Sequence, residues 1–480
     1  MHSSCLQYCI DLPLEKEVLT ETVEKAKDWA LMHGISMRSK EHFTKDNVQI
    51  APFLLLPTSF PKQEFEKAIQ VQKILNKLMH IVAHDYDFLK KTLASTIAVD
   101  EFSAKLFHIY ETVHAEGLAQ DISIGLLRSD YMLHGIEDSK IKQIELNTIA
   151  SSFAGIATRV TQFHRYILTE LEHSDKLINV PENNAVSGLC AGLIEAWKLY
   201  NNEKAVILFV VENVTHNICD QRFHEFEIRR QNPKIRIIRK NLTEIISQAQ
   251  LGPDKELIIG NNVISVVYFR SGYTPNDYPT EREWSARLLI ERSRAMKCPT
   301  IHYHLAGTKK VQQALAQPGA LDHFIKDGSI ARQVQEIFTG LYSLDFNEYG
   351  DQAIDMALAE PRKFVLKPQR EGGGNNVYDE NIRTQLNSMK ESKERTAWIL
   401  MDRIYPPLQK NYIIRPGDMN NCEVQDFTCE LGIYGIIIGN AKEIKVNKQV
   451  GHVLRTKPAT ATEGGVVMGI GALDSPYLVI

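Results

Sequence analysis

After Pro61, the apolar residues Phe65, Ala68, Ile69, Leu75, Leu78, Met79 and Val82 recur between charged ones at helical spacing, which predicts an amphipathic helix. The stretch before it, APFLLLPTSFP, is apolar and punctuated by prolines, so it reads as a short buried strand followed by a turn. Helical patterning continues to about Ala119. Compact apolar or alternating runs then mark strands at Ile122 to Leu127, Ile141 to Thr148, Ala205 to Val211, Ile235 to Ile238, Glu256 to Ile259 and Ile264 to Phe269. Helices are expected at Asp220 to Arg230, Glu281 to Lys297 and Lys309 to Ala316, so Lys204 to about Thr308 looks like an α/β unit able to stand as its own domain. From Lys363 the pattern becomes hairpin-like: KFVLKP, a glycine loop, a polar helix, AWILMDRI, and two strands around Gly439 and Asn440. No repeat or low-complexity linker interrupts this order, which suggests lobes packed into one body with mobile loops.

Composition narrows the partners. The 480 residues carry 55 basic and 59 acidic side chains, a net charge of -4, which is no surface for a nucleic-acid backbone or an anionic membrane. No apolar run reaches the length of a membrane span. The start, MHSSCLQYCIDLPLEK, has no basic segment followed by an apolar one and does not read as a signal peptide, although a leader removed earlier would leave no trace and secretion stays open. Cys5, Cys9, Cys190, Cys219, Cys298, Cys422 and Cys429 are scattered and odd in number, which fits structural thiols in a reducing compartment.

Four stretches carry chemistry. In KPQREGGGNN, Lys367 ends an apolar strand, and Gly372, Gly373 and Gly374 offer main-chain amides that a polyphosphate can approach closely. The spacing is not that of a Walker loop, and the triplet alone reads equally as a flexible hairpin. Lys367, Arg370 and Glu371 tip the reading toward phosphates and a metal. In QIELNT, Glu145 and Asn147 share one strand face, an oxygen pair suited to a hard cation such as magnesium, though alternating polar faces are common on strands. In HVLRTKPATATEGGVVMG, Arg455 and Lys457 share a face and lead into a small-residue loop, which reads either as an anion site beneath a lid or as a protected strand edge. In YFRSGYTPNDYP, Arg270 ends a strand beside Tyr273, placed to grip a carboxylate or to form a structural ion pair.

Taken together, APFLLLPTSFP, RSDYM, IELNT, NICDQR, VVYFRSGYTPND, LAGTKKVQQ, KPQREGGGNNVY, CELGIYG and GHVLRTK resemble the eukaryotic glutathione synthetase family over nearly the whole chain and in family order. The resemblance implies an α/β (α+β) fold, a permuted ATP-grasp. Residues 1–203 would form the N-terminal part of its body, 204–308 an inserted α/β substrate-binding domain, and 309–480 the nucleotide-binding part with a mobile lid and glycine-rich loops. It implies ATP and Mg2+ as cofactors, γ-glutamylcysteine and glycine (or a related acceptor) as substrates, an acyl phosphate intermediate, and a cytoplasmic homodimer.

Residue by residue, the resemblance implies that Glu145, Asn147 and Glu371 hold magnesium. Lys309, Lys367, the loop of Gly372, Gly373, Gly374, Asn375 and Asn376, Tyr378, Glu430, Lys457 and Glu463 would bind ATP, with Met401 and Ile404 at the adenine. Arg128, Ser152, Asn217, Gln221, Arg270, Tyr273, Val466 and Val467 would contact the γ-glutamyl substrate. Arg455 matches the carboxylate-binding arginine and, with Lys367 and Glu371, the catalytic set. Three departures stand out. Thr215, His216 and Asn217 replace Glu-Arg-Asn, so a substrate-binding carboxylate is expected to be missing. Ala150 stands where a serine is usual, and Val467 and Met468 replace two alanines. The sequence therefore also allows a relative with altered peptide or acceptor specificity, or an ATP-binding protein of low activity.

Overall fold

The computed structural model describes residues 6–136, 138–417, 422–466 and 469–480. Two large sheets and one small one organise the chain, in the mixed α/β arrangement that the pattern foretold. The largest has eight strands. Its path runs Ile413–Ile414, Phe53–Leu54, Ala472–Asp474, Ile444–Pro458, Gln425–Gly439, Ser123–His134 and Lys140–Asn147, with Gln409–Asn411 pairing off the path to Gln425–Gly439. The last four strands of this path are antiparallel to their neighbours. The apolar face, which includes Leu127, Tyr131, Leu146, Leu431, Ile433 and Leu454, joins the core beneath the amphipathic helix Lys62–His84.

The second sheet takes its strands from the central third of the chain. Val206–Val210 lies between Ile237–Lys240 and Asn262–Phe269 in parallel, and Met296–Cys298 adds a further parallel pairing. The run AVILFVV is continuous rather than alternating because both faces are covered: Val206, Leu208 and Val210 enter one large core, and Ile207, Phe209 and Val211 enter the other. The helix expected over Glu281 to Lys297 ends instead at Arg292. Pro299 disfavours helical backbone at the residue before it, and Met296–Cys298 pairs with Val266 to Tyr268 instead.

The third sheet, Leu341–Ser343, Trp398–Asp402, Phe364–Pro368 and Val377–Tyr378, is antiparallel and has its own core, built with the helices Glu348–Ala359 and Glu380–Met389. Ile404 falls outside this sheet, because the strand expected over AWILMDRI stops at Asp402. Polar anchors bind this small lobe to the body: Lys310 Nζ meets Asp345 Oδ2 at 2.6 Å, and Thr396 Oγ1 donates to the Ser95 carbonyl at 3.0 Å.

One buried carboxylate sets the entry to the helix Ala154–Glu170. Asp220 has no exposed surface and accepts from the backbone amides of Phe153 and Gly155, each at 2.9 Å. It thereby caps a helix whose preceding residue, Phe153, has φ 77° and offers no side-chain cap of its own. The same carboxylate pairs with buried Arg270 at 3.2 Å. Asp220→Ala leaves that guanidinium uncompensated and the amides open, and should cost about 3–5 kcal/mol in urea unfolding.

Candidate functional site

The polar face of the eight-stranded sheet forms the floor of a cavity of about 310 Å³. Strand register assembles it. Arg128 lies opposite Asn147, Asp130 opposite Glu145, and Glu430 opposite Arg455, so residues two apart on each strand point the same way. Thr428 and Lys457 extend the row.

Asp130 is fully buried at its centre. It accepts from Arg128 Nε at 2.6 Å and Nη2 at 2.7 Å, from Asn147 Nδ2 at 3.0 Å, and from Arg455 Nη2 at 2.8 Å. Arg455 also contacts Glu430. Gly432 is required beside this cluster, since a Cβ there would come within 2.7 Å of Asp130 Oδ1 and 2.9 Å of Arg128 Cδ. Asp130 lies in the RSDYM stretch, where no role for it is evident from residue type alone. Its two-residue spacing from Arg128 is the same signal that picked out Glu145 and Asn147.

The edge strand bearing Glu145 and Asn147 is held through its backbone. Leu146 N donates to Gln312 Oε1 at 2.8 Å, and Lys367 Nζ reaches the Ile144 carbonyl at 3.2 Å. Lys309 brings two carboxylates together: its Nζ lies 3.2 Å from Glu371 Oε1 and 3.9 Å from Glu145 Oε2, and it donates to the Arg370 carbonyl at 2.6 Å. Burial alone would raise the Glu145 carboxyl, but Lys309 and Lys367 hold it down at about 2. At Glu371 burial prevails over Lys309 and raises the carboxyl, and the negative charge of Glu145 adds to the rise. Burial pushes the Lys367 ammonium down to about 8 against the pull of Glu145.

Two loops cover the floor. In the glycine triplet Gly372, Gly373 and Gly374 have φ of 98°, 72° and 76°, a left-handed run that residues with a Cβ adopt only under strain. Arg370 lines this cavity, but its guanidinium is already engaged by a carboxylate. It pairs with Asp100 Oδ2 at 2.6 Å, while Asp100 Oδ1 caps the helix Glu101–Glu116. The second loop crosses to the first where Asn376 N donates to Glu463 Oε1 at 2.9 Å. Lys457 Nζ is bonded to the Thr462 carbonyl, and Gly464, Gly465 and buried Val466 complete that side. Asn375 Nδ2 turns back to the Gly373 carbonyl at 2.9 Å, and burial pushes the Tyr378 phenol up to about 12.

Of the other residues singled out by the sequence, Ser152 and Tyr273 line the cavity, whereas Asn217, Gln221, Arg270, Met401 and Ile404 do not. Arg270 is committed to protein partners. Nη1 donates to the Ser151 carbonyl and Tyr268 Oη, and Nη2 to Ser152 Oγ and Asp220, so its guanidinium supports the Ser151–Ser152 turn from behind. Ala150 lines the cavity with φ 50°. Val467, Met468 and Cys5 lie outside the described residues.

The donors at this end of the cavity are two carboxylates and one carboxamide, all hard oxygen ligands that fit magnesium. Among the described residues no cluster of three His, Cys, Asp or Glu could hold a metal ion.

Asp130→Asn strands two guanidinium groups beside a neutral amide and should destabilise the fold by about 3 kcal/mol or more. Glu430→Gln, at a partly exposed carboxylate, should cost under about 1 kcal/mol. Urea titration of the two variants side by side checks the ranking.

The model of the eukaryotic glutathione synthase ATP binding domain matches residues 16–478. The glutathione synthetase of Xenopus laevis is 44% identical over 474 residues, covering 98% of this chain and 99% of its own. That of Homo sapiens is 43% identical over 468 residues, covering 96% and 98%. Among solved structures, a glutathione synthetase-like effector from Globodera pallida in its apo form superposes with a TM-score of 0.79 at 25% identity, covering 98% of this chain and 100% of that one.

Proposed function

The chain belongs to the eukaryotic glutathione synthetase family, and from that premise we propose that its cavity joins γ-glutamylcysteine to glycine, with ATP converted to ADP and phosphate. One observation carries the reading: Glu145, Glu371, Lys309 and Lys367 gather beside a left-handed glycine run, on the same floor as Arg455. The altered-specificity and low-activity readings have no comparable observation behind them.

In the proposed reaction the cysteinyl carboxylate takes the γ-phosphoryl group, and the glycine amine then attacks the acyl carbon and expels phosphate. Phosphoryl transfer of this kind asks for positioning and charge neutralisation more than for a nucleophilic side chain. Lys309 and Lys367 supply cations next to the transferred group. The amides of Gly372 to Gly374 line the approach to the phosphates, where no side chain intervenes. Arg455, already oriented by Asp130 and Glu430, is set to hold the carboxylate being activated. Glu145, Asn147 and Glu371 would hold magnesium, whose charge would offset that of the polyphosphate. Tyr378, Glu463 and Lys457 support the nucleotide side of this reading, and Met401 and Ile404 would meet the adenine.

The organisation proposed with it is an N-terminal part over 1–203, a substrate-binding part over 204–308 and a nucleotide-binding part over 309–480. We also place the enzyme in the cytoplasm as a homodimer. The free thiols Cys9, Cys190, Cys219, Cys298 and Cys429 suit a reducing compartment. No helix among the described residues is long and apolar enough to cross a membrane.

ADP release in the presence of ATP, magnesium and γ-glutamylcysteine should rise on addition of glycine and yield glutathione. Release with another acceptor alone would refute the glycine assignment. Glu371→Gln should lower turnover by roughly a hundredfold or more with an unchanged unfolding midpoint. Because the glycine loop and the loop from Ala459 to Gly465 touch through Asn376 and Glu463, both should gain hydrogen-exchange protection together when ATP and peptide bind. Equal protection with and without ligands would show that they do not close.

A further inference from the structure

The strand Ile444–Pro458 carries Arg455 and Lys457 on its cavity face, and the residues between and beside them, Thr456 and Leu454, point the other way. Asp474 lies directly across from Leu454 on the strand Ala472–Asp474. Directly opposed residues share a face, so this carboxylate enters the side of the sheet where Leu454 joins the apolar core. It is buried, and burial pushes its carboxyl up to about 7.

Nothing cationic compensates it. Among the described residues its one ionic neighbour is His164, on the helix Ala154–Glu170, whose Nδ1 lies 3.9 Å from Asp474 Oδ1. His164 Nε2 meets the Leu54 carbonyl at 2.8 Å and therefore carries the ring proton, which leaves Nδ1 to accept from Ser475 Oγ at 2.6 Å. Burial lowers that imidazole to about 4 and keeps it neutral. Two thiols, Cys9 and Cys429, also feel the charge of Asp474, and burial pushes each up to about 12.

What the carboxylate meets is a ring of neutral donors. Oδ2 accepts from Thr456 Oγ1 at 2.8 Å, Oδ1 accepts from Ser475 N at 2.7 Å, and Thr58 adds side-chain and backbone hydrogen bonds. Thr456 is the residue between Arg455 and Lys457, so this bond grips their strand from behind at its midpoint. Pairing with Ala472–Asp474 ends at Thr456, opposite Ala472, and through Thr58 the same carboxylate reaches the strand Thr58–Pro61. A buried carboxylate without a cation costs stability that an apolar residue of similar size would not. Its distinctive contribution is a fixed geometry at Thr456.

We propose that Asp474 is a positioning residue for the ligase: by holding Thr456 from the reverse face of the sheet, it fixes the directions in which Arg455 and Lys457 enter the cavity. The proposal rests on the ligase reading above, in which Arg455 holds the carboxylate being activated and Lys457 supports the nucleotide. Only an acceptor-rich group suits the place. A carboxamide would set N–H donors against the donors of Thr456, Thr58 and Ser475, and the Thr456 hydroxyl would have to turn to accept.

The test compares Asp474→Asn, Thr456→Val and the double variant with the parent by ADP release, reading the KM for γ-glutamylcysteine, ATP and glycine separately, with urea titration as the check on folding. Each single variant should raise the KM for γ-glutamylcysteine and for ATP about tenfold. The KM for glycine should stay within about twofold, because neither Arg455 nor Lys457 meets glycine in the proposed reaction. The double variant should add less than about twofold to Asp474→Asn, since both substitutions act through one hydrogen bond. In the parent, the KM for ATP and peptide should also rise as pH is lowered through about 7, where Asp474 takes up a proton, and Asp474→Asn should lose that step. Unchanged KM values in a folded variant, an equal rise for all three substrates, additive effects, or a pH profile identical to the parent's overturn the role of Asp474 and leave the ligase reading intact. If Asp474→Asn does not fold, Thr456→Val, which keeps the carboxylate, decides by the same three KM values. A parent protein that releases no ADP with γ-glutamylcysteine and glycine overturns the ligase reading, and this proposal with it.

Discussion

The carboxylate of Asp130, with no exposed surface and flanked by Arg128 and Arg455, is the contact on which the site depends. Two guanidinium groups on the strands either side of Gln425–Gly439, on one sheet face, would repel each other and lose solvation together. A shared carboxylate lets the face carry both. The same oxygens accept from Asn147, so the central carboxylate also orients a candidate metal ligand on the edge strand. Gly432 gives this cluster room on one side, and Glu430 engages the outer flank of Arg455 on the other.

From that floor outward, three parts of the chain bring their charged groups to the cavity. Lys309 comes from the helix Lys309–Leu315, Glu145 from the sheet edge, and Glu371 from the small lobe. Arg370 ties the root of the glycine loop to the cap of the helix Glu101–Glu116, and Lys310 ties the lobe to the body at Asp345. The loop itself, beyond those anchors, makes few contacts: nothing comes within 4 Å of a Cβ built at Gly373. Firm roots and a loose crest are what a segment needs if it is to fold over a nucleotide without shifting the residues below it.

Much of the secondary structure was legible because its signals are local. The helical spacing after Pro61, the continuous apolar run at 205–211 and the alternation at 141–148 each report a periodicity that neighbouring residues set by themselves. Boundaries were less legible where a distant strand or a proline intervened, as at Arg292 and Asp402. Within the site, Glu145, Asn147, Glu371, Lys367 and Arg455 could be named from their residue types and motif spacing, Lys309 only from the resemblance, and the fold gathers them around one cavity.

What the sequence could not convey is the set of partners each charge would find. Arg270 reads from the sequence as a carboxylate clamp or a structural ion pair, and only the fold surrounds it with Asp220, Ser151, Ser152 and Tyr268. Arg370 looks like a phosphate donor until it meets Asp100. Thr215 stands where the resemblance implies a carboxylate, and in the fold its hydroxyl lies 3.4 Å from Glu212 Oε2. Residue order alone therefore determined the family, the run of elements and the inventory of chemical groups, because these are written in local pattern. Which carboxylate neutralises which cation was decided only by tertiary packing, since such pairings depend on ångström-scale approach between segments as far apart as 130 and 455.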